Sequence, residues 1–180
     1  MKNLTLTSLL IGFLMITGCS KAEKKETVKP PRIGLHVAVI QNNLDAIKQH
    51  IAADSDLNVK DPNGGSSPLI TAALFGKTEI AKALIEGGAD LNAVNNEGST
   101  ALMTAAVFCR TDIVKMLLEH GADKTIANQR GSTPLDAVSV PFEKVKGVYD
   151  YFKQALGPLG LNVDYDYLEA TRPKIAEMLK

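Results

Sequence analysis

The sequence predicts an all-α repeat fold, an α-solenoid, because one short pattern recurs at a fixed interval. Leu-Ile-Thr-Ala-Ala begins at Leu69, Leu-Met-Thr-Ala-Ala begins at Leu102, and Leu-Asp-Ala-Val begins at Leu135, so the period is 33 residues. Gly88-Ala-Asp and Gly121-Ala-Asp share this spacing. Such a period is typical of small units that stack and cover one another's apolar faces. Stacked units leave an extended concave surface, which favours a binding protein over an enzyme.

Each unit is predicted to open with a turn and a short first helix. The openings read Gly65-Ser-Ser-Pro-Leu, Gly98-Ser-Thr-Ala-Leu and Gly131-Ser-Thr-Pro-Leu. The hydroxyl side chain can cap free amide groups of the first turn, where proline is also tolerated because its nitrogen carries no hydrogen. The small pairs Ala72-Ala73 and Ala105-Ala106 allow neighbouring helices to approach closely.

A second helix is predicted in each unit from apolar residues spaced at i, i+4 and i+5, which form one stripe. The stripes are Ile80, Leu84 and Ile85 in one unit, and Ile113, Leu117 and Leu118 in the next. Glycines at 87, 88 and 121 follow these stripes, where a left-handed residue commonly ends a helix.

These motifs resemble the ankyrin repeat, in which a β-turn and two antiparallel helices open on G-x-T-P-L and close on G-A-D. A divergent first unit begins at Leu35-His-Val-Ala and ends at Asp56-Leu-Asn. The resemblance covers roughly residues 33–138 and resumes at 172–180. It implies an ankyrin repeat domain over residues 33–180, a role in protein binding, and no enzymatic activity. The four implied repeats span about 33–61, 62–94, 95–127 and 128–180.

The fourth repeat contains an insertion, because its second helix does not follow on schedule. Arg172 to Leu179 resembles Arg110 to Leu117 at an offset of 62 residues, which places the insertion at about 142–171. A helix is predicted from Phe142 to Leu156, ended by Gly157-Pro. All four tyrosines, at 149, 151, 165 and 167, lie in the insertion. It either caps the core of the last repeat or adds a binding lobe that includes Tyr149 and Tyr151.

The N-terminus predicts export. Lys2 precedes an apolar run from Leu4 to Ile16, which is too short to span a membrane and is typical of a signal peptide over residues 1–18. Ile16-Thr-Gly-Cys19 resembles the bacterial lipobox, which implies a lipidated, mature N-terminal Cys19; the alternative is an ordinary signal peptide. Ser20 in place of Asp implies the outer membrane, with the protein facing the periplasm.

Charge and composition argue against a nucleic-acid partner. Residues 19–32 are polar, contain Pro30-Pro31 and read as a flexible linker. The whole chain has a formal net charge of zero. Residues 33–180 hold 14 Lys and Arg against 18 Asp and Glu, so no basic surface is expected.

No catalytic or metal-binding constellation is predicted, and no cofactor. His36, His50 and His120 lie far apart in the sequence, which favours structural or surface roles. Cys109 would be the sole free thiol once Cys19 is acylated, at the turn position that Gly76 holds in the preceding unit. It is either a tolerated thiol or the carrier of a redox or intermolecular role.

The predicted binding face follows from the resemblance, since partners of ankyrin arrays touch the turn tips and the two positions after the paired alanines. These positions are Ile40 in the first unit, Leu74 and Phe75 in the second, Val107 and Phe108 in the third, and the tips Asn96, Glu97, Gln129 and Arg130. The apolar members would form an exposed row on the concave side, unless the insertion covers them.

The partner is expected to be a protein, and the domain itself to be a monomer. Resemblance to bacterial exported ankyrin-repeat lipoproteins implies either an oxidative-stress enzyme such as a catalase or, for an immunity protein, a secreted toxin. The remaining alternative is a structural tether of an envelope assembly. The sequence does not choose between these partners.

Overall fold

The computed structural model describes residues 28–180; the predicted signal peptide, Cys19 and most of the predicted linker lie outside the described residues. The described part is helical. Its helices are α1 (Leu35–Ile40), α2 (Leu44–Ala52), α3 (Pro68–Phe75), α4 (Thr78–Glu86), α5 (Ala101–Val107), α6 (Thr111–Glu119), α7 (Pro134–Ser139), α8 (Phe142–Leu156) and α9 (Tyr165–Leu179), with a 3-10 turn at Gly157–Leu159 between the last two.

The helices stack in two rows. Helices α1, α3, α5 and α7 pack side by side as the inner row, while α2, α4 and α6 form the outer row. Helix α9 packs on α7 and touches α6, so it stands where the outer helix of the fourth repeat belongs. The predicted α-solenoid of four repeats, the last interrupted by a helical insertion, is confirmed.

Local capping explains where the inner helices begin. The hydroxyl oxygens of Ser67, Thr100 and Thr133 each accept a hydrogen bond from the backbone N–H three residues later, at 3.2 to 3.3 Å. The Asp136 carboxylate accepts in return from the Thr133 backbone N–H at 2.9 Å, which completes a capping box. The predicted capping role of these hydroxyl residues is confirmed.

The apolar stripes form a continuous core between the two rows. Leu69 and Leu102 of the inner helices and Leu84 and Leu117 of the outer helices are fully buried. The paired alanines at 72, 73, 105 and 106 are also fully buried, because they lie where adjacent helices meet. The stacked core extends through the insertion, since Phe142 and Tyr149 of α8 are buried with it.

The first helix of the insertion agrees with the prediction, but the helix after it begins earlier than predicted. Helix α8 has the predicted bounds, Phe142 to Leu156. The outer helix that was expected to resume at Arg172 instead begins at Tyr165, because the Asp164 side chain caps it by accepting the Tyr167 N–H at 3.1 Å. Pro173 therefore lies inside α9, where a helix loses one backbone hydrogen bond. Among residues 28–180, no helix is both long and apolar enough to cross a membrane.

Candidate protein-binding cleft

A cleft of about 680 Å³ runs along the concave side of the array. Its floor is formed by the inner helices, which contribute Ile70 and Leu74 from α3, Met103 and Val107 from α5, and Ala137 from α7. Leu74 and Val107 occupy the same position in successive repeats and are half-buried, so each leaves part of its side chain open to the cleft. The floor is therefore apolar.

The first wall of the cleft consists of the turn loops, each organised by one side chain. The Asp61 carboxylate accepts hydrogen bonds from the backbone N–H groups of Asn63, Gly64 and Ser66 at 2.7 to 2.9 Å. Partial burial raises the pKa of Asp61, but these hydrogen bonds outweigh it and the net pKa is lowered. The Asn95 and Asn128 side-chain oxygens accept in the same way in the next two loops.

Neighbouring loops are also joined to each other, so the wall is continuous. The Asn96 backbone N–H donates to the Gly64 carbonyl at 2.9 Å, and the Gln129 backbone N–H donates to the Glu97 carbonyl at 3.0 Å. The Gln129 side-chain amide adds a bond to the Asn96 carbonyl at 2.7 Å. Asn96, Glu97, Gln129 and Arg130 are exposed along this wall and line the cleft, as predicted for turn tips.

The second wall is helix α8, which is fixed to the end of α5. The Tyr149 hydroxyl donates a hydrogen bond to the Val107 carbonyl at 2.7 Å. The Phe108 ring meets the rings of Tyr149 and Phe152 edge to face, with centroids 5.8 and 5.3 Å apart. Val145 and Val148 line the cleft from this helix, and Val148 is 43% exposed.

Arg172 ties α7, α8 and α9 together at the base of the second wall. It is 4% exposed and lines the cleft. Its Nη1 donates to the Tyr149 hydroxyl at 2.8 Å, and its Nη2 donates to the carbonyls of Ala137 and Val140 at 3.0 and 2.8 Å. The two carbonyls belong to the C-terminal end of α7, which a cation stabilises.

Three aromatic residues among the predicted binding residues are buried. Phe75 is 9% exposed and does not line the cleft, Phe108 is 4% exposed, and Tyr149 is 1% exposed. The phenylalanines follow Leu74 and Val107 by one residue, about 100° around a helix, so they turn toward the core when their neighbours face the cleft. Helix α8 covers Phe108, which is the alternative that the sequence left open.

The other predicted binding residues divide by position. Ile40 of the first repeat is half-buried against the core and lies outside the cleft. Tyr151 is 67% exposed on α8 but does not line the cleft. Sequence reasoning did not select Met103, Val148 or Arg172 as binding residues. The helical spacing of Val145, Val148 and Tyr149 indicated that one stripe of α8 faces the array. Arg172 was recognised only as the residue that matches Arg110 in the repeat pattern.

A second, polar cavity of about 500 Å³ is lined in part by Cys109 and by residues of α9. Cys109 takes φ 51° where Gly76 takes φ 66°, so the predicted equivalence of the two turn positions is confirmed. The Cys109 thiol is buried, which raises its pKa from 9.0 to about 11. Its sulfur lies 3.7 Å from the Leu168 carbonyl oxygen, so α9 closes over it.

The guanidinium of Arg110, the residue after Cys109, donates hydrogen bonds to backbone carbonyls. Its Nη2 donates to the carbonyls of Leu74 and Asn162 at 3.2 and 3.4 Å, while its buried Nε has no partner. Burial lowers the pKa of Arg110. This cavity therefore holds a protonated, enclosed thiol, and a thiol in that state is a poor nucleophile.

The three histidines each hydrogen-bond to nearby backbone or hydroxyl groups. His36 contacts the Val59 carbonyl at 2.9 Å, His50 contacts the Ile33 carbonyl at 2.8 Å, and His120 contacts the Met116 carbonyl at 2.8 Å. Within residues 28–180, no group of three or more His, Cys, Asp or Glu side chains is placed to hold a metal ion. His36 and His50 thus join helices to loops, while His120 caps the end of its own helix α6.

Stacked helix pairs with an apolar cleft on the concave side define the class of helical-repeat interaction modules, proteins that bind other proteins. A sequence model of ankyrin repeats, in three copies, matches residues 35–128. This match covers more than half of the chain, and the chain belongs to the ankyrin repeat family.

Relatives and solved structures share the repeats over part of their length. The chain is 37% identical over 65 residues to human DNA-binding protein RFXANK, covering 36% of this chain and 25% of that protein. It is 34% identical over 73 residues to mouse protein phosphatase 1 regulatory subunit 27, covering 40% of this chain and 47% of the relative. Both matches cover less than half of the relative's length.

The fold is also similar to the crystal structure of the ankyrin repeat domain of Bcl-3, described as a unique member of the IκB protein family. The TM-score is 0.56 at 31% identity, over 57% of this chain and 45% of that chain. All three relatives are similar to this chain in its repeats, and what each binds or regulates is a property of that protein.

Proposed function

We propose that this protein is an envelope-anchored interaction module that holds a periplasmic protein partner in its concave cleft. The composition of the cleft supports the proposal that the protein binds a partner there. The cleft presents an apolar floor between a polar loop wall and α8, and Val148 keeps 43% of its surface exposed there. Apolar surface rimmed by polar groups is the usual composition of a protein interface.

The location in the envelope is supported by the N-terminal sequence. Ile16-Thr-Gly-Cys19 resembles a lipobox after a short apolar run, and residues 20–32 provide a polar spacer before the first repeat. A lipid anchor on Cys19 would hold the cleft close to the outer membrane on its periplasmic side, where a partner confined to that compartment would be enriched. Cys19 lies outside the described residues.

Two partner classes follow from the resemblance to exported ankyrin-repeat lipoproteins. An oxidative-stress enzyme such as a catalase would be made by the same cell and recovered with the intact lipoprotein. A secreted toxin would be recovered only after toxin is supplied, because an immunity protein meets it from outside. A structural tether of an envelope assembly would retain its neighbours when the cleft is blocked.

The test uses two valines of equal chemistry and similar exposure. Val148→Asp places a charge in the cleft, whereas Val37→Asp places the same charge on α1 outside it; the two side chains are 43% and 47% exposed. Proteins recovered with the tagged, intact lipoprotein are quantified for the wild type and both variants. A partner lost with Val148→Asp and kept with Val37→Asp supports the proposal. A partner kept equally by both variants places binding elsewhere on the protein.

A further inference from the structure

Arg172 is a buried cation in the wall of the cleft, and its hydrogen-bond partners are all neutral. Its guanidinium donates to the Tyr149 hydroxyl and to the carbonyls of Ala137 and Val140, at 2.8 to 3.0 Å. With 4% of its surface exposed, it is shielded from the solvent that normally screens a charge.

No carboxylate of the described residues forms an ion pair with this guanidinium. The ion pairs found among residues 28–180 join Lys82 to Glu86, Lys115 to Glu119 and Lys180 to Glu177, all at the surface. Buried charges in proteins are usually paired with an opposite charge. The end of α7 compensates Arg172 in part, through the partial negative charge of its carbonyls.

The residues that line the cleft carry one more positive charge than negative charges. Its charged lining residues are Arg130 and Glu97 on the loop wall and Arg172 at the base of α8. The loop wall thus holds one guanidinium and one carboxylate, and the opposite wall holds a second guanidinium without a carboxylate beside it. Interactions between charges are stronger next to apolar, poorly hydrated surface than in open water, so this excess favours a ligand that brings an anion.

The dimensions of the cleft set the kind of ligand. Without α8 the concave side would be an open face, but α8 turns it into a cleft of about 680 Å³ with two walls. This volume lies in the range of about 300 to 1,000 Å³ that holds small ligands and short segments, and a folded domain does not enter it. The apolar floor formed by Leu74, Met103 and Val107 requires apolar side chains on that segment.

We infer that the cleft binds a short extended segment of its partner, apolar except for one Asp or Glu side chain whose carboxylate is attracted by the guanidinium groups of Arg130 and Arg172 on the two walls. This inference rests on the proposed function and specifies its ligand. Arginine groups placed next to apolar pockets recognise acidic motifs in this way, because the pocket selects the segment and the charge selects its register.

The experiment measures binding of three fluorescent hexapeptides to the intact protein in detergent. The peptides share one Leu- and Val-rich sequence, are acetylated and amidated, and differ only in a central Asp, Asn or Lys. We expect the Asp peptide to bind at least tenfold more tightly than the Lys peptide, with the Asn peptide between them. Arg130→Gln, an exposed position that keeps the fold intact, should reduce the Asp-to-Lys ratio, and Val37→Asp should leave it unchanged.

The outcomes separate this inference from the proposed function. Equal binding of the three peptides, weakened by Val148→Asp, would show that the cleft takes segments but that the carboxylate preference is wrong. A preference for the Lys peptide would also overturn the inference. If no peptide binds, a short segment is not the ligand and the inference is wrong. The proposed function is then tested separately, by whether the wild type captures the partner and Val148→Asp does not.

Discussion

The hydroxyl of Tyr149 lies between Val107 and Arg172, donating to the carbonyl of one at 2.7 Å and accepting from the guanidinium of the other at 2.8 Å. One phenol oxygen thus connects the insertion to the third repeat and to the last helix. Tyr149 is 1% exposed, so water does not replace either bond if the hydroxyl is removed. The arrangement makes α8 part of the folded array.

The first prediction concerns this hydroxyl. Tyr149→Phe should lower the free energy of unfolding by about 1–3 kcal/mol, because it leaves a buried carbonyl and a guanidinium N–H without a partner. Chemical denaturation measures the change. Tyr151→Phe is the matched control, since Tyr151 is 67% exposed on the same helix, and it should change stability by less than about 0.5 kcal/mol. Equal effects of the two substitutions would contradict the packing of α8 described above.

The second prediction concerns the ring beneath α8. Phe108→Ala should cost about 3–5 kcal/mol, because Phe108 is 4% exposed and meets the rings of both Tyr149 and Phe152. The sequence left two alternatives open, an exposed ring on the concave side or a ring that the insertion covers. Thermal unfolding decides between them, with Tyr151→Ala as the control for loss of an aromatic ring at the surface. If Phe108→Ala melts at the same temperature as the control, Phe108 is exposed in solution and α8 does not cover it.

The contrast between Leu69 and Phe108 explains how far the sequence predicts this structure. Leu69 recurs at 102 and 135, and Leu69 and Leu102 are fully buried because each lies between repeats, so the period predicts their environment; Leu135, in the last repeat, is half-buried. Phe108 also recurs, at the position of Phe75, but it is covered by Tyr149 from an insertion that has no counterpart in the other repeats. Packing between a repeat and a unique segment carries no periodic signal.

Arg172 shows the same limit within the cleft. The segment from Arg172 resembles the segment from Arg110 in sequence, but Arg110 is the N-cap residue of α6 whereas Arg172 lies inside α9. Both guanidinium groups donate to backbone carbonyls. Only the three-dimensional placement of α8 puts Arg172 against Tyr149 and into the wall of the cleft. The loop tips were predictable because each loop is organised by its own side chain, as Asn95 and Asn128 show.

The third prediction concerns the thiol of Cys109. Its pKa of about 11 in the folded protein leaves little thiolate at pH 8, so alkylation by iodoacetamide should be at least tenfold slower in the native protein than in the unfolded one. Mass spectrometry of the peptide that contains Cys109 measures the rate. An equal rate in both states would contradict the burial of this thiol beneath α9.

The same thiol makes stability depend on alkaline pH. The unfolded thiol ionises at a lower pH than the folded one, whose pKa is raised from 9.0 to about 11. The unfolded state therefore binds fewer protons in this window, and stability is lost as pH rises from about 9 to 11. Cys109→Ala should show a smaller loss over that range. Tyr149, whose pKa is raised chiefly by burial and also by the charge of Cys109, contributes to the alkaline decline in both proteins, and Cys109→Ala reduces this contribution in the same direction.

The fourth prediction concerns the anchor on Cys19. If Cys19 is acylated, Cys19→Ala should abolish labelling by a fatty-acid analogue and move the protein from the membrane fraction to the soluble fraction, because the lipid chains hold it at the membrane. Ser20→Ala is the control, since it keeps the cysteine and changes only the next residue. A Cys19→Ala protein that still carries lipid and still sediments with membranes would rule out this anchor. An unlabelled wild type released in processed form would instead indicate an ordinary signal peptide, and the cleft would then act on a freely diffusing protein.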